Sequence, residues 1–162
     1  MSKLNYYGSN TPNGTFQAYC WDYLHGVDYG QGRFRDLVLF AVVDKADKNK
    51  LRMDSNNQPM IAVVVCNCTK QKSAKAKINV LKRCLITKQH NISVIESYKS
   101  LPEMETFLFH KDFKGEPYSI VVENKSVNSK RVSNITHVWS YLADDYVDIR
   151  GVFDTQQASC YI

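Results

Sequence analysis

Apolar positions along this chain fall into short dense runs separated by polar stretches, and two runs have the character of central strands. Residues 36–44 read DLVLFAVVD and residues 60–68 read MIAVVVCNC. Both are apolar at successive positions and rich in β-branched side chains, as in strands buried on both faces. The polar stretch 45–58 between them ends in Asn56-Asn57, which predicts a turn or wide hairpin and an antiparallel pair. Shorter runs at 92–98, 118–123 and 146–153 predict further strands, 15–23 reads as a strand or a short turn-rich segment, and 159–162 can add an edge. Gly26, Gly30 and Gly32 interrupt the pattern after 15–23.

Two segments carry helical spacing. Over 73–87, Ala74, Ile78, Leu81 and Leu85 share one face while Lys75 and Lys82 fall elsewhere. Over 131–143, Ile135, Val138, Trp139 and Leu142 do the same. Residues 102–111 read either way: Met104, Phe107 and Leu108 have helical spacing behind Pro102, yet 106–109 also suit a strand. The pattern predicts residues 1–14 as a loose polar lead-in. Residues 15–162 then form a single α+β domain with a mixed, mostly antiparallel sheet and two main helices.

Charge changes this picture more than composition does. At 162 residues with 44% hydrophobic and 23% charged positions, the chain suits one ordinary globular domain. No apolar run approaches the ~18 residues of a membrane span, and the N-terminus lacks the basic-then-apolar layout of a signal peptide. Five Cys in no framework spacing fit reduced thiols in a cytoplasmic setting. Between Asp54 and Glu96, however, there are seven Lys or Arg and no acid, against a net charge of +5 for the whole chain. They are Lys70, Lys72, Lys75, Lys77, Lys82, Arg83 and Lys88. A strand that feeds a basic helix N-terminus is a common anion holder, because orphan N–H groups and the helix dipole both favour negative charge.

The order of these elements resembles the coenzyme-binding unit of the GNAT superfamily of N-acyltransferases. There a central strand ends in a loop of pattern Gln/Arg-x-x-Gly-x-Gly/Ala that opens a helix. Gln71, Lys72, Ser73, Ala74, Lys75 and Ala76 fall in that position. The resemblance covers residues 36–123 and departs at three points: Ala74 replaces the first loop glycine, Asp112 the glycine before Phe113, and Leu108 the frequent tyrosine acid. It implies that acetyl-CoA or another acyl-CoA lies along Val64 and Cys66 with its pyrophosphate on residues 71–76. His110 or Glu105 would then take the amine proton.

A second reading uses the same elements in the βαββαβ order of ferredoxin-like domains. Residues 92–109 resemble a strand of the phage enzymes that degrade S-adenosylmethionine. That likeness implies Tyr98, Glu96, Glu103 and Glu105 around a cationic sulfonium, where carboxylates and aromatic faces both help. A third reading is non-catalytic: the segment 70–88 binds nucleic acid or a host protein, as in a small phage or mobile-element protein, and oligomers are compatible with it. Tyr19, Trp21, Tyr23, Tyr29 and Phe34 would be the stacking aromatics. Cys66 and Cys68 have no second pair at zinc spacing, and the four His are scattered, so no metal site is expected.

Overall fold

A computed structural model of the protein describes residues 10–28, 34–67, 77–85, 117–127 and 130–150. The elements in order are β1 (Gly14–Asp28), β2 (Phe34–Val42), β3 (Ile61–Asn67), α1 (Lys77–Cys84), β4 (Tyr118–Val127), β5 (Lys130–Ser140) and β6 (Asp145–Asp148). Strand β1 is long enough to serve two neighbours. Its first part, Gly14 to Ala18, runs antiparallel to β4, and Ala18 to Asp28 runs antiparallel to β2. Strands β2 and β3 form the next antiparallel pair, as do β4 with β5 and β5 with β6.

The spatial order is therefore β3-β2-β1-β4-β5-β6. Three hairpin-connected strands followed by a fourth that returns beside the first is a Greek key. A parallel contact between Val63 of β3 and Asn134 of β5 then closes the first five strands of this order on themselves, with β6 continuing the sheet beyond β5. The result is a five-stranded, partly open Greek-key barrel with a helix between its third and fourth strands, the architecture of the OB-fold.

Side-chain alternation fills the barrel. Ala18, Cys20, Val38, Phe40, Val42, Ala62, Val64, Cys66, Tyr118, Ile120, Val122, Ile135 and Val138 belong to one buried cluster inside. Leu81, Cys84 and Leu85 of α1 and its end join that cluster, so the helix closes one end of the barrel. The Tyr118 hydroxyl, itself buried, donates to the Leu85 carbonyl at 2.7 Å and ties the helix end to the start of β4.

Closing so few strands needs bends, and three register shifts supply them. Two lie in β1, around Trp21 and around Gly26, and one lies in β5 at Thr136. Gly26 has φ +65°, in the left-handed region that glycine enters without a Cβ penalty.

Polar residues ahead of β1 stitch the seam between β3 and β5. Asn10 accepts from the Ile61 N–H and donates to the Pro59 carbonyl. Thr11, fully buried, donates its hydroxyl to the Ile61 carbonyl at 2.9 Å and its N–H to Ser133 Oγ at 3.0 Å. Asn124 donates to the Thr11 carbonyl and to Asn13 Oδ1. Residues 10–13 are thus a strap across the barrel's weakest join.

The expected α+β fold with two main helices is not what forms, in either its GNAT-like or its ferredoxin-like version. Among the described residues the structure is nearly all β, with one short helix. The second expected helix, 131–143, is strand β5 and the turn after it. The bulge explains the misreading. Val122 pairs with Ile135 while Val121 pairs with His137, so Thr136 is an extra residue that flips the strand's phase. Ile135 and Val138 then share the inner face at a three-residue interval, which imitates helical spacing. The β-branched Val132, Ile135, Thr136 and Val138 favour the strand. Of the first expected helix, 73–87, only Lys77–Cys84 is described as helical, as α1 with Leu81 buried, while 73–76, 86 and 87 lie outside the described residues. Segments 92–98, 102–111 and 159–162 lie outside the described residues.

Candidate functional site

The outside of this barrel is not uniformly polar. Leu37, Leu39 and Ala41 of β2, Ile61 and Val63 of β3, and Val132 of β5 form a second apolar cluster on the outer side. These six are buried, each at most 5% exposed. Trp21, Leu24, Val27, Leu51 and Val65 pack against them and stay half-exposed. Register places most of this accessible rim at one end of the face: Leu24 lies opposite Leu37, Val27 opposite Arg35, Leu37 opposite Val65, and Arg35 opposite Asn67. Trp21 sits on the same face because the β1 bulge at that position turns it outward. The rim therefore holds an indole, aliphatic side chains and the half-exposed Arg35, whose Nη1 donates to the Phe34 carbonyl.

A buried polar lock fixes this end of β1. The Asp36 carboxylate, wholly inside, accepts from the Tyr23 hydroxyl at 2.8 Å and from the Gly26 N–H at 3.0 Å. An Asp with no solvent contact is costly unless its oxygens are hydrogen-bonded. Here those bonds hold the bulged backbone on which Leu24 and Val27 sit.

The basic run begins at the same end. Lys70 follows Asn67, the last residue of β3, by three positions in sequence and lies outside the described residues. Of the run's described side chains, Lys77 is buried at the head of α1 and Arg83 is exposed. Burial lowers the Lys77 pKa below that of an ordinary lysine, with Cys66, Lys125, Asp148 and Arg150 as its charged or titrating neighbours.

Several expected site residues fall elsewhere. Val64 and Cys66 point into the barrel core and are closed to solvent. Strand β3 is paired with β2 along its length on one edge and meets β5 on the other, whereas the GNAT-like reading needed a strand edge for a pantetheine arm. Gln71, Lys72, Ser73, Ala74, Lys75 and Ala76 lie outside the described residues, as do His110, Glu105, Tyr98, Glu96 and Glu103. Of the expected stacking aromatics, Tyr19 is fully buried with its hydroxyl on the Lys48 carbonyl, and Tyr23 is committed to Asp36. Tyr29 lies outside the described residues, and Phe34 pairs with Asp28 at the start of β2. Trp21 alone of the five joins the outer apolar face.

Sequence reasoning missed Leu24, Val27, Arg35 and Val65. Residues 37–43 are apolar at both parities and buried on both faces, as the sequence predicts for a central strand, so the half-exposed positions around the second cluster carried no signal of their own. Among the described residues no group of His, Cys, Asp or Glu is arranged to hold a metal ion. No protein-family model matches the chain, and no curated protein matches it.

Proposed function

We propose that this protein is a non-catalytic module that binds single-stranded nucleic acid along the outer face of β1, β2 and β3. Bases stack on Trp21 and the aliphatic rim, and phosphates are neutralised by Arg35 and the basic run that leaves β3. One observation carries the reading. The register Val27–Arg35–Asn67 sets the half-exposed end of the apolar cluster beside the point where the chain leaves β3 for a basic run uninterrupted by an acid, six of whose seven cations remain once the buried Lys77 is set aside. The rest of the chain sums to −2, so the charge is local and not a general property of the surface.

The chemistry matches what a single strand offers. Aromatic and aliphatic surfaces accept unstacked bases without regard to sequence, and lysines track a phosphate backbone. A five-stranded barrel of this order commonly presents that face to oligonucleotides, which supports the reading by analogy of fold.

The test is fluorescence anisotropy with end-labelled oligonucleotides of about 12 nucleotides, within the ~4–16 that one such barrel covers. Single-stranded oligonucleotide should bind more tightly than the duplex of the same sequence. Affinity should fall steeply between about 50 and about 200 mM salt. Arg35→Glu and Trp21→Ala should each weaken binding tenfold or more. Equal affinity for duplex, or no binding at low salt, sinks the reading.

A further inference from the structure

Strand β5 links two ends of opposite charge. From Asn124 to Ala143 the chain has no Asp or Glu, and it carries Lys125, Lys130 and Arg131 around the β4–β5 turn. From Val132 to Ile149 it has no Lys or Arg, and Asp144 and Asp145 sit at the far turn. The eleven residues of β5 hold these ends about 35 Å apart.

The acidic end is also the most apolar exposed spot described. Tyr141, Leu142 and Tyr146 are 40%, 50% and 36% exposed, and with Met53 they are the exposed large hydrophobics among the described residues. Exposed apolar groups gathered in one place mark a contact surface more than scattered ones do. This end is rigidly built. Tyr146 pairs across strands with Trp139 in an edge-to-face contact at 5.1 Å, and its hydroxyl shares a 2.6 Å hydrogen bond with Ser119. Ala143 N–H donates to Ser140 Oγ within the turn, and Asp144 holds a left-handed φ of +52°. Little ordering is left to be lost on docking.

We propose that the occupant of this tip is the basic end of the β4–β5 pair of a second copy of the chain, where Lys125 and Arg131 lie on neighbouring strands. Asp144 and Asp145 meet Lys125 and Arg131, and Tyr141 with Leu142 supply the apolar contact. Charge complementarity selects this partner. Because the two surfaces lie at opposite ends of one strand, the contact is head-to-tail and builds an open row, not a two-fold dimer. If the proposed nucleic-acid reading holds, such a row would make binding along a strand cooperative. The pairing itself needs no nucleic acid.

Sedimentation velocity on the full chain tests it. Wild type should sediment at twice its monomer mass or more in about 0.1 M salt and as monomer in about 1 M, where screening shortens to about 3 Å. Asp144→Lys with Asp145→Lys should be monomeric in both, and so should Lys125→Glu with Arg131→Glu. Mixing the two variants should recover association, because each supplies a surface that the other can meet. Far-UV circular dichroism matching wild type shows that both are folded. A wild type that is monomeric in low salt overturns the proposal, as does an Asp144/Asp145 variant that associates normally or a folded mixture that stays monomeric. Affinity of the Asp144/Asp145 variant for a one-site oligonucleotide should equal that of wild type, so failure of pairing and failure of nucleic-acid binding are read separately.

Discussion

The Tyr23 hydroxyl donates to Asp36 across the β1–β2 pair at 2.8 Å, and that carboxylate also takes the Gly26 N–H. A buried acid thus anchors the backbone irregularity that lets one strand serve two neighbours. Tyr23→Phe should cost about 1.5–3 kcal/mol, the usual worth of a hydrogen bond to a charged group. Asp36→Ala should cost more, because the Gly26 N–H and the Tyr23 hydroxyl both lose a partner. Urea unfolding checks both, and a Tyr23→Phe variant as stable as wild type would remove the lock from the account.

The β5 bulge separates two positions that a helix would have made equivalent. Ile135 is fully buried in the barrel, whereas Leu142 is half-exposed in the turn. Ile135→Ala should destabilise by about 2–5 kcal/mol. Leu142→Ala should stay within about 0.5 kcal/mol in dilute protein at high salt. A helix presenting Ile135, Val138, Trp139 and Leu142 together would make both substitutions expensive.

How much of this fold was legible follows from the same residues. Strands 36–44, 60–68 and 118–123 announced themselves because β-branched apolar runs have few other uses. The length of β1 did not, because Gly26 reads as a break, although its left-handed φ lets the strand bend and continue. Strand β5 imitated a helix through one extra residue at Thr136. Barrel closure left no local mark at all, since it rests on one parallel contact between Val63 and Asn134 plus side-chain bonds from residues 10–13. The candidate site was half visible: the basic run stood out and β2 was legible as a strand buried on both faces, while the half-exposed residues around its second face left no mark of their own.

The strap should matter in proportion to those bonds. Thr11→Val removes the hydroxyl that the Ile61 carbonyl accepts in a fully buried place, and should cost about 1–3 kcal/mol. Amide hydrogen exchange should show faster opening at the β3–β5 seam than at the β2–β3 pair. Uniform protection across both would deny the strap its role.

Buried thiols set an alkaline limit. Cys84 is pushed up to about 11 and Cys20 is also raised well above an ordinary thiol, both chiefly by burial. A folded pKa above the unfolded value of about 8.5 gives stability that is full below that pH and lost as pH rises toward the folded value. Stability should therefore decline from about pH 8.5 to about pH 11, and Cys84→Ala should flatten that decline while lowering stability at neutral pH. Urea midpoints across that range read the effect, and an unchanged slope in Cys84→Ala would contradict it.

The most direct test of the central claim is where a ligand lands. A two-dimensional NMR titration of isotope-labelled protein with a single-stranded oligonucleotide of about 12 nucleotides, within the ~4–16 per barrel, reads that position. The largest shifts are expected at the Trp21 indole and at Leu24, Val27, Arg35 and Val65, with the barrel-interior Val64 and Ile120 nearly still. Shifts confined to Tyr141–Tyr146, or none at any ratio in low salt, would contradict it.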